Sequence, residues 1–167
     1  CASCHNPAEG FVDKRELKEA PHKQLKQAVS LGDDQQSFGD RSAPSSAYAN
    51  QTPLFHLNKD GEYVGGQFWD GRASSLTDQA KGPPLNTIEM GMPDKDTIRN
   101  RLLENNDYRN HFESLYGKQT LEDADLLYDA MADAIASFEK TDFFSPFDSK
   151  YDRYLKGEYQ LTSQEDL

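Results

Sequence analysis

The sequence predicts an all-α domain with long irregular loops, and three observations carry that expectation. Apolar residues recur at helical spacing through Ala124, Leu127, Tyr128, Met131, Ala134, Ile135 and Phe138. No stretch alternates apolar with polar residues over strand length, and no internal repeat is present. The chain opens on "CASCH", in which Cys1, Cys4 and His5 form C-x-x-C-H, and no other cysteine follows. That spacing lets two thiols add across the vinyl groups of a haem while the adjacent imidazole ligates its iron.

Other uses of the motif need contexts that the sequence lacks. A thioredoxin-like pair wants C-x-x-C just after a strand in a βαβ pattern, and a zinc cage wants a second pair of ligands at matching spacing. His22, His56 and His111 are scattered singly, so no such pair exists. The expected class is therefore a c-type cytochrome domain, all-α, with long irregular loops around one covalent haem c.

Composition bounds the partners. With 35 % hydrophobic residues, 28 % charged residues and a net charge of -11, the chain borders on the composition of disordered proteins. Nine Phe, eight Tyr and one Trp argue against disorder, since each is a core former and a haem adds an apolar slab to pack on. The acidity makes nucleic acid an unsuitable partner and fits a basic electron-transfer protein or a small neutral substrate. No apolar run is long enough to span a bilayer. Thioether attachment occurs outside the cytoplasm, so a periplasmic location is expected. A chain beginning on the first haem cysteine is expected to have lost a leader and some mature residues.

Along the chain, residues 1–31 hold the motif and then "DKRELKEAPHKQLKQAVSLG", where Leu17, Leu25, Val29 and Leu31 suggest short helices broken at Pro21 and closed by Gly32. Residues 32–66 are rich in Gly, Asp, Ser, Pro and Asn and read as irregular loop. From residue 74 helical signals dominate. "SLTD" at Ser75 to Asp78 is expected to form a capping box, Pro93 and Asp94 to open a helix, and Gly117 to stop the next one. The strongest helix is expected from Thr120, with Asp123 as the reciprocal capping carboxylate. "TDFFSPFDSKYDRYLKG" reads as a turn and a short aromatic helix. "YQLTSQEDL" reads as the cap and first turn of a further helix, so residues 1–157 form the haem domain and 158–167 begin a connection to another.

The chemistry concentrates in "GGQFWDGRASSLTDQAKGPPLNTIEMGMP", residues 65–93. Gly71 permits a tight turn after Trp69 and Asp70, and Arg72 can pair with Asp70 or with a haem propionate. Gln79 sits on a short helix, and the break at Pro83 and Pro84 turns the chain so that Glu89 can return to the same pocket. A carboxyl and an amide over one haem face suit peroxide cleavage: a base takes the proton from the near oxygen and returns it to the far one as water leaves. Met90 or Met92 could instead ligate the iron, as in a one-haem electron carrier.

C-x-x-C-H at Cys1 to His5, R-x-x-P-S at Arg41 to Ser45, and F-W-D-G-R-A followed by Gln79 and Glu89-Met90 resemble the N-terminal haem domain of bacterial di-haem cytochrome c peroxidases. The resemblance runs on through "FEKTDFFSPFDSKYDRYLKGEYQLTSQE", that family's passage into its second haem domain. It implies that Cys1 and Cys4 are the thioether sites and His5 the proximal ligand of a peroxidatic haem. Glu89 becomes the acid-base residue, Gln79 its hydrogen-bonding companion, and Trp69 the relay to a second haem. Hydrogen peroxide and a small donor protein, a cytochrome c or a cupredoxin, are the implied partners, and a homodimer is compatible with it. The family also includes an enzyme that oxidises side chains of a partner protein. Two departures stand out. The loop "SLGDDQQSFGD" lacks the distal histidine that many members place there, which leaves His22 as a displaced candidate. Ser42 replaces an asparagine that ligates calcium between the domains, so calcium is carried only as an expectation of the resemblance.

Overall fold

The computed structural model describes residues 1–13, 15 and 29–166. The helices expected around Pro21, and His22 with them, lie outside the described residues.

The spine is α6, Ala124–Glu139. Asp123 caps it, its carboxylate accepting from the amides of Asp125 and Leu126. Leu127, Ala132 and Ala136 are each 0 % exposed, and Tyr128 and Ala130 are buried beside them. The alanines let neighbouring helices approach closely, and burying a side chain such as Leu127 is worth about 1.5–3 kcal/mol. Thr120 does not begin this helix, contrary to the sequence expectation. It lies in α5, Gln119–Glu122, is itself buried, and donates its hydroxyl to the Tyr116 carbonyl, which leaves Asp123 as the cap.

Around α6 pack α1 (Leu76–Ala80), α3 (Lys95–Leu103) and α5, with α4 (Asn106–Tyr116) in lighter contact. The expected starts and stops hold for these elements. Asp94 caps α3 by accepting from Thr97, and the amide of Gly117 closes α4 on the carbonyl of Glu113. Ser75 caps α1 by accepting from the Asp78 amide, but Asp78 spends its carboxylate on the Ser74 hydroxyl and closes no capping box. α2, Gly82–Leu85, carries Pro83 at its start and turns the chain directly after α1. Tyr128 donates its hydroxyl to the Lys81 carbonyl, tying α6 to that turn.

The stretch read as loop contains one small antiparallel hairpin, β1 (His56–Leu57) paired with β2 (Tyr63–Val64). Strands of two residues are too short for alternation to register. The same stretch also contains a 3-10 turn, Ala49–Gln51, and the remainder is irregular. α7, Lys150–Leu155, is the short aromatic helix, opened by a capping box between Ser149 and Asp152. An aromatic cluster joins the ends of the domain: Phe11 lies 4.5 Å from Phe144 and 5.5 Å from Phe143, and Phe138 stands edge-on to Phe144 at 4.9 Å.

Candidate haem site

The C-x-x-C-H segment folds as a turn around one carbonyl: the amides of Cys4 and His5 both donate to Cys1 O, at 3.0 and 2.8 Å. Asn6 then caps a 3-10 turn, Pro7–Glu9, and Gly10 and Phe11 follow with φ of 66° and 61°. Two successive left-handed residues reverse the chain, and the Phe11 carbonyl comes back to His5 Nδ1 at 3.1 Å. Ser46 Oγ approaches the same nitrogen at 3.2 Å. A carbonyl can only accept, so Nδ1 carries the proton and Nε2 keeps its lone pair. Burial pushes the His5 pKa below its ordinary value and favours the neutral ring.

This is the state in which an imidazole ligates iron, with its second nitrogen oriented by a protein acceptor. Cys1 and Cys4 are both free, Cys1 exposed and Cys4 half-buried. The residues present therefore fit a haem c held by Cys1, Cys4 and His5. Among the described residues no cluster of three or more His, Cys, Asp or Glu is placed to hold a metal ion.

Arg15 is a neighbour that the motif alone does not announce. It forks onto Asp13, Nε to Oδ1 at 2.9 Å and Nη2 to Oδ2 at 2.7 Å, and the Asp13 side chain is only 4 % exposed. The same Nη2 reaches Cys4 Sγ at 3.1 Å and Leu31 O at 2.6 Å. Burial pushes the Cys4 thiol up, and Arg15 pulls it the other way.

Glu89 lies on the turn after α2, half-buried. Its Oε1 accepts from Asn86 Nδ2 at 2.8 Å, while Asn86 Oδ1 takes the Ile88 amide. The amide bonded to Glu89 in this structure is that of Asn86, because the turn brings Asn86 alongside a residue three positions later. Gln79 is half-buried on the last turn of α1, with its backbone amide bonded to Ser75 O. The loop from 31 to 38 leans on the Glu89 turn, Asp33 donating its amide to Glu89 O at 2.7 Å. Glu89 also contributes to raising the Cys4 pKa, so its charge is felt at the haem motif. Met90 and Met92 follow on the same turn, their amides bonded back to Pro83 O and Pro84 O.

Trp69 sits in a loop made by glycines in close contact. A Cβ on Gly66 (φ +82°) would stand 2.5 Å from Gly71 O, so neither space nor conformation admits a side chain there. Trp69 is 65 % exposed. Arg72 pairs with Asp70 at 2.9 Å and lies 3.7 Å over the Phe68 ring. Arg41 joins the same carboxylate at 2.7 Å, and that bond is the main cause holding Asp70 at a pKa of about 2. The pairing with Asp70 expected for Arg72 is made.

Arg15, Ser46 and Asn86 were not legible from the motifs. Only Asn86 had a local signal, an amide three residues before a carboxylate on one turn. A hollow lined by Arg101, Glu104, Asn105, Asn106 and Asp107 contains none of the residues singled out above. Among the described residues no helix is long and apolar enough to cross a membrane.

Comparison with known proteins agrees with this geometry. The family described as di-haem cytochrome c peroxidase matches residues 1–160. The chain is 49 % identical over 167 residues to methylamine utilization protein MauG of Paracoccus denitrificans, covering 100 % of this chain and 42 % of that protein. It is 34 % identical over 166 residues to cytochrome c peroxidase Ccp of Escherichia coli, covering 99 % of this chain and 29 % of the relative. The crystal structure of the diheme peroxidase BthA from Burkholderia thailandensis superposes with a TM-score of 0.84 at 27 % identity, over 98 % of this chain and 38 % of that one. The chain thus spans less than half the length of these relatives.

Proposed function

The chain belongs to the di-haem cytochrome c peroxidase family, and we propose that it is the peroxide-binding haem domain of a periplasmic oxidoreductase that reduces hydrogen peroxide to water. Electrons come from a small donor protein through a second haem domain. The observation that supports this reading is the half-buried Glu89 carboxylate, held at one oxygen by Asn86 on the turn after α2.

When bound, the haem supplies the iron on which peroxide is held and which takes up its oxidising equivalents. Cys1 and Cys4 anchor the group, and His5 offers Nε2 while Phe11 O fixes the ring. Asn86 occupies Glu89 Oε1, so Oε2 is the atom that takes the proton from the near oxygen and delivers it to the far one. Gln79, half-buried on α1, serves as a further hydrogen-bonding companion of Glu89. Trp69 carries electrons towards the pocket. In the full-length protein, Glu89→Gln lowers peroxide turnover by about 100- to 10,000-fold with haem content unchanged. Turnover within a few fold of wild type would remove Glu89 from the mechanism.

A second reading keeps the site and changes the destination of the oxidising equivalents, which pass to side chains of a partner protein. The 49 % identity to a methylamine utilization protein, against 34 % to a cytochrome c peroxidase, favours it. Steady-state assays with reduced cytochrome c separate the two: rapid donor oxidation supports peroxide reduction as the main activity, and retention of oxidising equivalents without donor turnover supports partner oxidation. A near-infrared sulfur-to-iron band would instead assign Met90 or Met92 to the iron and a carrier role to the domain.

A further inference from the structure

The Arg15 guanidinium does more than neutralise Asp13. Its fork onto that buried carboxylate uses Nε and one hydrogen of Nη2. The second hydrogen of Nη2 is left for the Leu31 carbonyl at 2.6 Å and the Cys4 sulfur at 3.1 Å, 16 and 11 positions away in sequence. Charge balance at Asp13 requires neither contact, because the fork alone pairs the carboxylate. A thioether sulfur keeps its lone pairs, so the contact to Cys4 does not depend on the thiol hydrogen.

Leu31 opens a loop that is braced within itself. It bridges to Phe38, the Gly32 amide donates to Ser37 O at 2.8 Å, and Asp34 accepts both the amide and the hydroxyl of Ser37. A loop so closed moves as a unit. Its far side lies against the Glu89 turn: the Asp33 amide donates to Glu89 O at 2.7 Å, and a Cβ on Gly32 would stand only 3.0 Å from Ile88 O. Arg15 thus grips one side of a stiff loop whose other side meets the backbone of Glu89, and the same nitrogen touches a cysteine of the C-x-x-C-H motif.

We propose that Arg15 is a positioning residue for Glu89: by bonding Leu31 O from the corner formed by Asp13 and Cys4, it fixes the distance between the haem-attachment segment and the turn that carries the carboxylate. The proposal rests on the reading of Glu89 as the acid-base residue. Lysine is the discriminating substitute. It keeps a cation for Asp13 but offers a point charge in place of the planar fork, so it cannot hold both carboxylate oxygens and reach Leu31 O as well. The route runs from Arg15 through the loop to Glu89, so the two residues must act together.

The test uses the full-length holoprotein and reads two quantities: amide hydrogen exchange of the peptide spanning residues 31–38, and the rate of reaction with hydrogen peroxide per covalently bound haem. Arg15→Lys speeds exchange in that peptide by about tenfold while α6 keeps its protection. The same variant slows the peroxide reaction by about 10- to 100-fold, the cost of a misplaced reacting group. In a Glu89→Gln background Arg15→Lys lowers the rate no further, although exchange still rises. Gly32→Ala, which pushes the loop off the Glu89 turn from its other side, reproduces both effects and adds nothing to the rate loss of Arg15→Lys. An unchanged exchange or an unchanged rate in Arg15→Lys, or a full further loss of rate without the Glu89 carboxylate, overturns the proposal. Should Arg15→Lys fail to fold, Gly32→Ala decides: exchange and rate equal to wild type overturn it. A Glu89→Gln protein with turnover near wild type would overturn the acid-base reading instead, a result distinct from an unshifted exchange in Arg15→Lys.

Discussion

The indole N–H of Trp69 donates to the carbonyl of Ser42 at 2.8 Å, joining two loops whose residues lie 27 positions apart. Trp69→Phe keeps an aromatic ring and removes this bond. If Trp69 carries electrons, donor-driven turnover slows by at least about tenfold, a barrier increase of about 1.4 kcal/mol, while the first reaction with peroxide keeps its rate. Stopped-flow absorbance separates the two phases, and unchanged donor oxidation would leave Trp69 a loop anchor only.

Asn86 offers a milder probe of the acid-base residue. Asn86→Ala frees Glu89 Oε1 and should lower peroxide turnover by about tenfold, less than loss of the carboxylate itself. Asn86→Asp keeps an acceptor for the Ile88 amide but sets a second carboxylate against Glu89, so the acid limb of the pH–rate profile should move to higher pH.

The Trp69 loop should also answer to acid through Asp70. Its folded pKa of about 2 lies below the ordinary 3.8, so the ion pairs with Arg41 and Arg72 contribute stability above the higher value and lose it as pH falls towards the lower. Emission from the single tryptophan reports the loop directly. It should change across that window in the wild type and already be shifted at neutral pH in Asp70→Asn.

Gly66→Ala tests the close approach beneath Trp69. The new Cβ meets Gly71 backbone at a φ of +82°, so the variant should lose about 1–3 kcal/mol in denaturant unfolding. A stability equal to wild type would mean that the loop has room to rearrange.

The loop from 30 to 40 contains no histidine, and the ferric haem on His5 is accordingly expected to be high-spin in resting-state electron paramagnetic resonance of the full-length protein. A wholly low-spin spectrum that becomes partly high-spin in His22→Ala would identify His22 as a sixth ligand and overturn this expectation.

What the sequence made legible was local chemistry. Asp94, Ser75 and Gly117 mark helix ends because a cap is decided within a few residues. Thr120 misled because "TLED" mimics a capping box, and only the burial of Thr120 beside Tyr116 shows that Asp123 caps the helix. The C-x-x-C-H motif announced His5, yet the groups that orient the ring, Phe11 O and Ser46, come from a left-handed turn and from a loop 41 residues away. Arg15 on Cys4 and Trp69 on Ser42 are likewise contacts across loops, for which neither periodicity nor spacing gives a signal.

The Phe11 to Phe144 contact bears on the order in which the chain assembles. Phe11 supplies the carbonyl that orients His5, and its ring is packed on residues from the other end of the domain. During synthesis those aromatic partners emerge after all the helices that pack around α6. The segment that carries Phe11 leaves the ribosome before those partners, therefore acquires this packing late, and contacts so distant in sequence are slow to form. The cysteines remain on an unclosed segment through that interval, and the imidazole gains its fixed direction only after Phe143 and Phe144 have been made.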